Sequence, residues 1–303
     1  MVLNTAHRGF SGKYPENSLL AIQKAVQQGV DFVEIDVHLS KDQEVVVIHD
    51  RHLNRMTTGK GKISKKTLSE IKEHRLKIGN HHIPTLQEVF PLIKGKTKLN
   101  IEIKGIRPAW KVASLIKKYK MQDKVIVSSG SVNALRIIKN EIPFVKTAFI
   151  FYVSPGGTKQ DFVMNLLSKL SFKVTQFMVL RFAELSKADY VHLAYPFATK
   201  SFIKRLKKRN YLVSIWVVNT PKLMRKMIKR GADGIITNRP DRLNKLILEK
   251  SKQKKAKRLS LKRINLKKIN IRNINFKKVN LNGIKNGLVA VKNLGRKRKQ
   301  KGL

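Results

Sequence analysis

The chain of 303 residues carries 65 Lys and Arg against 19 Asp and Glu, a net charge of +46, and has no cysteine. A balance of that size favours polyanionic partners such as nucleic acid, anionic lipid or wall polymers and says nothing about fold. It excludes nothing by itself, but the missing thiols exclude disulfide scaffolds, thiolate zinc sites and cysteine nucleophiles, and no apolar run approaches the roughly 18 residues of a membrane span.

The opening segment MVLNTAHRGF has no basic region followed by an apolar stretch, so a cytoplasmic location is the expectation. From there apolar, β-rich runs alternate with helix-patterned segments, which predicts an α/β architecture on a parallel sheet. The predicted strands are VLNTAH (2–7), FVEIDV (32–37), EVVVIH (44–49), KLNIEIK (98–104), VIVSS (125–129), TAFIFY (147–152), YVHLAY (190–195), VSIWVVN (213–219) and DGIIT (233–237). Helices are predicted between them, for example over 18–29, 109–120 and 221–231. Six residues, His38 to Gln43, separate the second and third runs. A parallel crossover needs about a dozen, so these two are expected to form an antiparallel hairpin. A turn at Lys41-Asp42 would set Glu34 opposite His49. Setting the returning arm aside leaves eight βα units, the number of a (β/α)8 TIM-type barrel of about 250 residues, here with a β-hairpin inserted after strand 2. The composition shifts near 249: residues 250–303 hold 20 Lys and Arg and no acid, leaving 45 against 19 before them. The expected division is therefore a barrel over 1–249 and a basic tail over 250–303.

Active sites of such barrels gather at the C-terminal ends of the strands, and polar residues stand there. They are His7-Arg8-Gly9, Glu34 and Asp36, His49-Asp50, Glu102 and Lys104, and Trp216 with Asn219. Residues i and i+2 of a strand share a face, so Glu34 and Asp36 are aimed together, as are Glu102 and Lys104. Three converging carboxylates without thiolates make a hard oxygen site for Mg²⁺, Ca²⁺ or Mn²⁺. His7 and His49 suit general acid and base work near neutral pH. Arg8 and Lys104 suit an anion.

HRG at 7–9, PEN at 15–17, EID at 34–36, VVIHD at 46–50, IPTLQEV at 83–89, IEIK at 101–104, WVVN at 216–219 and GADGIITNRPD at 231–241 follow one another in the order of the glycerophosphodiester phosphodiesterase family, which the chain resembles from residue 2 to about 246. The resemblance implies a phospholipase-C-like phosphodiesterase barrel, a divalent metal, and cleavage of glycerophosphodiesters to glycerol 3-phosphate and an alcohol in lipid metabolism. It implies further that His7 and His49 are the acid/base pair, that Glu34, Asp36 and Glu102 bind the metal, that Arg8 and Lys104 contact phosphate, and that Trp216 lines the substrate cleft. Two positions depart from the family pattern. The usual Gly after the ExD strand is Gln43, and the usual Ser-Phe closing the VIVSS strand reads Ser128-Ser129-Gly130.

Other polar residues are expected to be structural. Asn17 is expected to cap the helix starting at Ser18, and Gly231, Asp233 and Asn238 to shape the last strand and its loop. His38, His52, His74, His81, His82 and His192 are read as surface or packing residues. Glu16 is open between a ligand role and the cap region, Asp50 between orienting a histidine and a turn role, and the segment from Arg51 to Ile83 between a cleft cover and a solvated insertion.

From 259 the tail reads LSLKR, INLKK, INIRN, INFKK, VNLNG, a period of five that resembles the pentapeptide-repeat family. So few repeats bury little, and the expectation is a flexible, lysine-rich extension whose GRKRKQK cluster (295–301) makes peripheral contact with anionic membrane or another polyanion. Two other functions compete with the first: a phosphodiesterase of lysophospholipids or glycerol-phosphate polymers, and a polyanion-binding protein on a degenerate barrel. Intact acid and histidine strings weigh against the second. Phe276 is the tail's one aromatic, which weighs against single-stranded nucleic acid readout.

Overall fold

Strand-forming runs separated by amphipathic helices fold here as the alternation predicts. The computed structural model describes residues 2–151 and 172–253. Its strands are β1 (Leu3–Ala6), β2 (Phe32–Leu39), β3 (Val45–Val47), β4 (Lys98–Ile103), β5 (Val125–Ser129), β6 (Lys146–Phe151), β7 (Tyr190–Ala194), β8 (Leu212–Trp216) and β9 (Gly234–Thr237). The helices are α1 (Leu19–Gln27), α2 (Leu68–Lys72), α3 (Leu86–Ile93), α4 (Ala109–Lys118), α5 (Val132–Glu141), α6 (Phe172–Leu185), α7 (Lys200–Lys207), α8 (Pro221–Arg230) and α9 over 240–253. β1 pairs in parallel with both β2 and β9, and the remaining pairings run β9-β8-β7-β6-β5-β4-β2, which closes a barrel of eight parallel strands. β3 hangs outside the ring, antiparallel to β2.

The expected hairpin is present, and its register differs by one residue from the expected one. Val37 faces Val47, His38 faces Val46, and the Ile48 N–H reaches the Asp36 carbonyl at 3.0 Å, so Glu34 is not opposite His49. Gln43, at the position where the family uses Gly, adopts φ 64° and lengthens the turn to one residue beyond the Lys41-Asp42 pair. Because side chains alternate along a strand, a slip of one residue changes which of them share a face.

The strand pleat sorts side chains into two environments. On β2, Val33, Ile35 and Val37 point outward into a core built with Ile22 of α1, Val89 of α3 and Ile116 of α4. A second cluster does the same for the other half, with Phe149, Val191, Val213 and Ile235 against α6, α7 and α8. The alternate residues point into the barrel. Phe32, Ile126 and Ala148 form an apolar cluster there, and Thr5, Asn100, His192 and Ser214 line a small cavity together with Phe32 and Ile126. Glu34, Asp36 and Glu102 continue the same inward faces toward the C-terminal ends of the strands.

Helix starts follow side-chain capping. Ser18, not Asn17, caps α1 by accepting from the Ala21 N–H, and Thr85 with Glu88 forms a reciprocal capping box on α3. Among the described residues no helix is long and apolar enough to cross a membrane. The chain divides after Lys250. The five-residue repeats and the 295–301 basic cluster lie outside the described residues, as does Tyr152.

Candidate active site

The first strand ends in a turn that only a particular backbone allows. Arg8 and Gly9 both have positive φ, 55° and 74°, and a Cβ on Gly9 would lie 2.6 Å from the Ala21 carbonyl carbon. Glycine therefore lets this turn press onto α1. The turn is pinned on both sides: the His7 N–H bonds the Thr237 carbonyl at 2.9 Å, and the Arg8 N–H bonds Glu34 Oε2 at 2.7 Å.

Glu34, Asp36 and Glu102 each present a carboxylate oxygen within 4.8 Å of the others. Glu34 and Asp36 are buried, and Glu34 Oε1 is a buried acceptor without a hydrogen-bond partner. Burial, then the charges of Asp36 and Glu102, push the Glu34 carboxyl well above its ordinary range. Burial acts on Asp36 in the same direction, but Lys104 and Arg8 outweigh it and hold that carboxyl far below the carboxylate range. Lys104 Nζ lies 2.8 Å from Asp36 Oδ1 and also contacts Glu102, while Arg8 Nε lies 3.2 Å from Asp36. Three convergent carboxylates, one with an unsatisfied oxygen, fit a hard divalent cation.

The two histidines differ in their partners. His7 Nδ1 donates to Asn238 Oδ1 at 2.7 Å, which leaves Nε2 as the acceptor on the side of Glu34, 3.9 Å away. Burial, reinforced by Arg8, lowers His7 to about 4. His49 Nδ1 donates to Asp50 Oδ1 at 2.7 Å. Asp50 thus orients a histidine and is not a bare turn residue. The rest of its carboxylate is held by Arg55, whose hydrogen bonds lower Asp50 to about 2. His38, on β2, bonds the His49 carbonyl through Nε2 at 2.9 Å, a packing role. Trp216 shares an inward face with Ser214, and its buried Nε1 donor has no partner.

The site brings His7, Arg8, Glu34, Asp36, Glu102 and Lys104 together, with His49 on the adjoining turn. Two residues read as structural belong to it. Asn17, expected as a cap, is buried and forks onto Asp36: its Nδ2 donates to Oδ2 at 2.9 Å, and its Oδ1 accepts the Asp36 N–H at 3.2 Å. Asn238, expected as a loop former, orients His7. Asn219 orients Asn238 in turn, accepting its N–H at 2.9 Å. The signal available for Asn238 was its place in the GADGIITNRPD string, since 231 residues separate it from His7. Gly231 and Asp233 are structural as expected: Gly231 caps α8 at φ 96°, and Asp233 accepts from Val213 N–H and Lys207. Of the departing Ser128-Ser129-Gly130 run, Ser128 faces inward beside Glu102 with an unpartnered hydroxyl, and Ser129 turns away to the Ile103 carbonyl.

Comparison with known proteins agrees with this architecture. The model of the glycerophosphoryl diester phosphodiesterase family matches residues 7–242. A glycerophosphodiester phosphodiesterase of Caldanaerobacter subterraneus subsp. tengcongensis is 35% identical over 256 residues, which span 80% of this chain and 96% of that protein. Among solved structures, an Oleispira antarctica phosphodiesterase in complex with the product sn-glycerol-3-phosphate is similar at TM-score 0.68 and 27% identity, covering 80% of this chain and 95% of that one. A glycerophosphodiester phosphodiesterase of Thermotoga maritima is similar at TM-score 0.63 and 31% identity, covering 81% and 98%.

Proposed function

The chain belongs to the glycerophosphoryl diester phosphodiesterase family and acts as an enzyme on glycerophosphodiesters, and we propose that it hydrolyses them to sn-glycerol 3-phosphate and an alcohol with a divalent metal and two histidines. The observation that carries this reading is the convergence, at one end of the barrel, of an acid cluster, two cations and two oriented histidines.

A phosphodiester carries one negative charge, and more develops on its non-bridging oxygens as the bond to the leaving group breaks. Glu34, Asp36 and Glu102 would hold Mg²⁺, Ca²⁺ or Mn²⁺, which supplies positive charge at those oxygens. Arg8 and Lys104, which lie against Asp36, add fixed positive charge for the phosphate. One histidine removes a proton from the attacking water as its oxygen bonds to phosphorus, and the other delivers a proton to the departing alcohol oxygen as its P–O bond breaks; attack by the neighbouring glycerol hydroxyl would give a cyclic phosphate that water opens in a second such step. Each histidine acts through Nε2 because Nδ1 is committed to Asn238 or Asp50. Trp216 contributes an apolar face and an indole N–H to the cleft wall. The small, charged product suits a role in the turnover of deacylated lipids, and the basic tail of residues 250–303 is assigned to anionic surfaces.

The test is release of glycerol 3-phosphate from glycerophosphocholine and glycerophosphoethanolamine, with and without chelator. Turnover that chelator abolishes and Mg²⁺, Ca²⁺ or Mn²⁺ restores is the expected result. Full activity in excess chelator would remove the metal from the mechanism.

A further inference from the structure

The insertion between β3 and α3 is folded around its own small core. Leu53, Ile63, Ile71, Leu76 and Ile83 pack together against Val46 and Ile48. Within it, residues 53–57 form a turn closed by the Thr57 N–H and Thr57 Oγ1, both on the Leu53 carbonyl, at 3.0 and 2.8 Å. Leu53 and Thr57 are buried, so the backbone that carries Arg55 between them is fixed although its side chain is half exposed.

The Arg55 guanidinium makes a fork. Nε donates to Asp50 Oδ2 at 2.6 Å, and one terminal nitrogen donates to Asp50 Oδ1 at 2.9 Å and to Glu16 Oε1 at 2.7 Å. Both acceptors are shared with the site. Asp50 Oδ1 also accepts from His49 Nδ1, and Glu16 Oε1 also accepts from Arg8 at 3.1 Å. The result is a continuous chain of contacts: His49, Asp50, Arg55, Glu16, Arg8, Asp36.

We infer that Arg55 is a positioning residue that fixes Asp50, and through it the ring of His49, while tying Glu16 and hence Arg8 to the same anchor. The inference rests on the reading of His49 as a proton-transfer residue. A half-exposed ion pair on its own contributes little, but this one sets the orientation of two groups that face the substrate, and orientation errors near 1 Å are costly to rate. The shape of the donor matters as well. A planar guanidinium spans both oxygens of one carboxylate and reaches a second, whereas an ammonium is a single point of charge. The insertion is then a brace for the catalytic turn.

The test compares Arg55→Met, Arg55→Lys, Asp50→Asn, the Arg55→Met/Asp50→Asn pair and His49→Ala in the full chain, with glycerophosphocholine and saturating divalent metal. Losing a partner that orients an active group typically costs about 10- to 100-fold. Arg55→Met is expected to lower kcat by that amount with KM within about threefold of the parent, and Arg55→Lys to recover little. Because the two residues act in one line, the paired variant should lose no more than about threefold beyond the worse single variant. Millimolar guanidinium should restore part of the turnover of Arg55→Met and none of the paired variant. Lys77→Met, which removes another cation of the insertion whose Nζ bonds the Asn54 carbonyl at 2.7 Å, is the control and should keep its turnover. Circular dichroism and thermal unfolding separate positioning from misfolding, since guanidinium rescue requires a folded site. Turnover of Arg55→Met near the parent while His49→Ala is inactive would overturn the inference, as would a rise in KM alone or losses that multiply in the paired variant. Near-parent turnover of His49→Ala would instead overturn the histidine reading, and this role for Arg55 with it.

Discussion

The two histidines are held by different chemistry, a neutral amide for His7 and a carboxylate for His49. Either partner commits Nδ1 and leaves Nε2 as the nitrogen that the proposed proton transfer would use. Replacing either ring by alanine should cost the roughly 10²- to 10⁴-fold typical of a lost general acid or base, with circular dichroism unchanged. Activity within a few-fold of the parent in either variant would remove that histidine from proton transfer. The acid cluster offers a test that does not depend on turnover. A cation that binds only the folded state raises its stability in proportion to the logarithm of its concentration, so Mg²⁺, Ca²⁺ or Mn²⁺ should raise the Tm of the parent and raise it less in Glu34→Gln, Asp36→Asn and Glu102→Gln. An equal rise in all four would place the ion elsewhere. The residues of this site were legible where they fall in short strings with a chemical reason for their spacing, as with Glu34 and Asp36 on one strand face. Asn17 and Arg55 were not legible, because each does its work on residues brought close by the fold and has no periodicity of its own, and Asn238 showed only as a member of the GADGIITNRPD string.

Elements were easier to read than their registers. The hairpin was legible from the short link after β2, because six residues cannot make a crossover. Its register was not, because Gln43 takes up a left-handed conformation and extends the turn by one residue. Residue type alone did not announce that: an L side chain at positive φ is uncommon and depends on context. The insertion was visible as a polar stretch but not as a folded unit, since Leu53, Ile63, Ile71, Leu76 and Ile83 are scattered at no regular period. Ile63 is fully buried there, and Ile63→Ala should cost about 2–5 kcal/mol in chemical denaturation. A cost near zero would show that the insertion contributes no core. Strand β7 gives a pH-dependent case. His192 is buried inside the barrel with an unpartnered Nδ1, and burial lowers it from 6.5 to about 3. The unfolded chain takes up this proton below pH 6.5 and the folded chain does so only near 3, so the stabilisation is complete above 6.5 and is lost as pH falls. Between pH 7 and pH 5 the parent should lose about 2 kcal/mol more than His192→Gln in urea titrations. Equal losses in both would show that His192 is not what couples stability to pH.

At the scale of the whole molecule, the barrel was legible because eight strand runs with room for helices between them admit few closed arrangements, and right-handed crossovers select one. The polar lining of its small cavity was not, since Thr5, Asn100, His192 and Ser214 lie on four different strands. Charge is a property read over all 303 residues together. Residues 250–303 contribute 20 cations and no acid, while every residue assigned to catalysis or metal lies before 249. The proposed catalytic role of the barrel and the proposed adhesion of the tail can therefore be tested apart. A chain ending at Glu249 should keep its turnover of small soluble glycerophosphodiesters, because such substrates diffuse to the barrel without a surface. What it should lose is binding to anionic vesicles. Each Lys or Arg near an anionic bilayer is worth about 1 kcal/mol, and the attraction is screened over about 8 Å at physiological salt. The full-length protein should then cosediment with phosphatidylserine-containing vesicles at low salt and release as salt rises, and the shortened chain should release at lower salt. The 45 cations and 19 acids before residue 250 are the competing source of binding, so the comparison of the two chains across one salt series is decisive. Coincident release curves would assign adhesion to the barrel and leave the tail without that role.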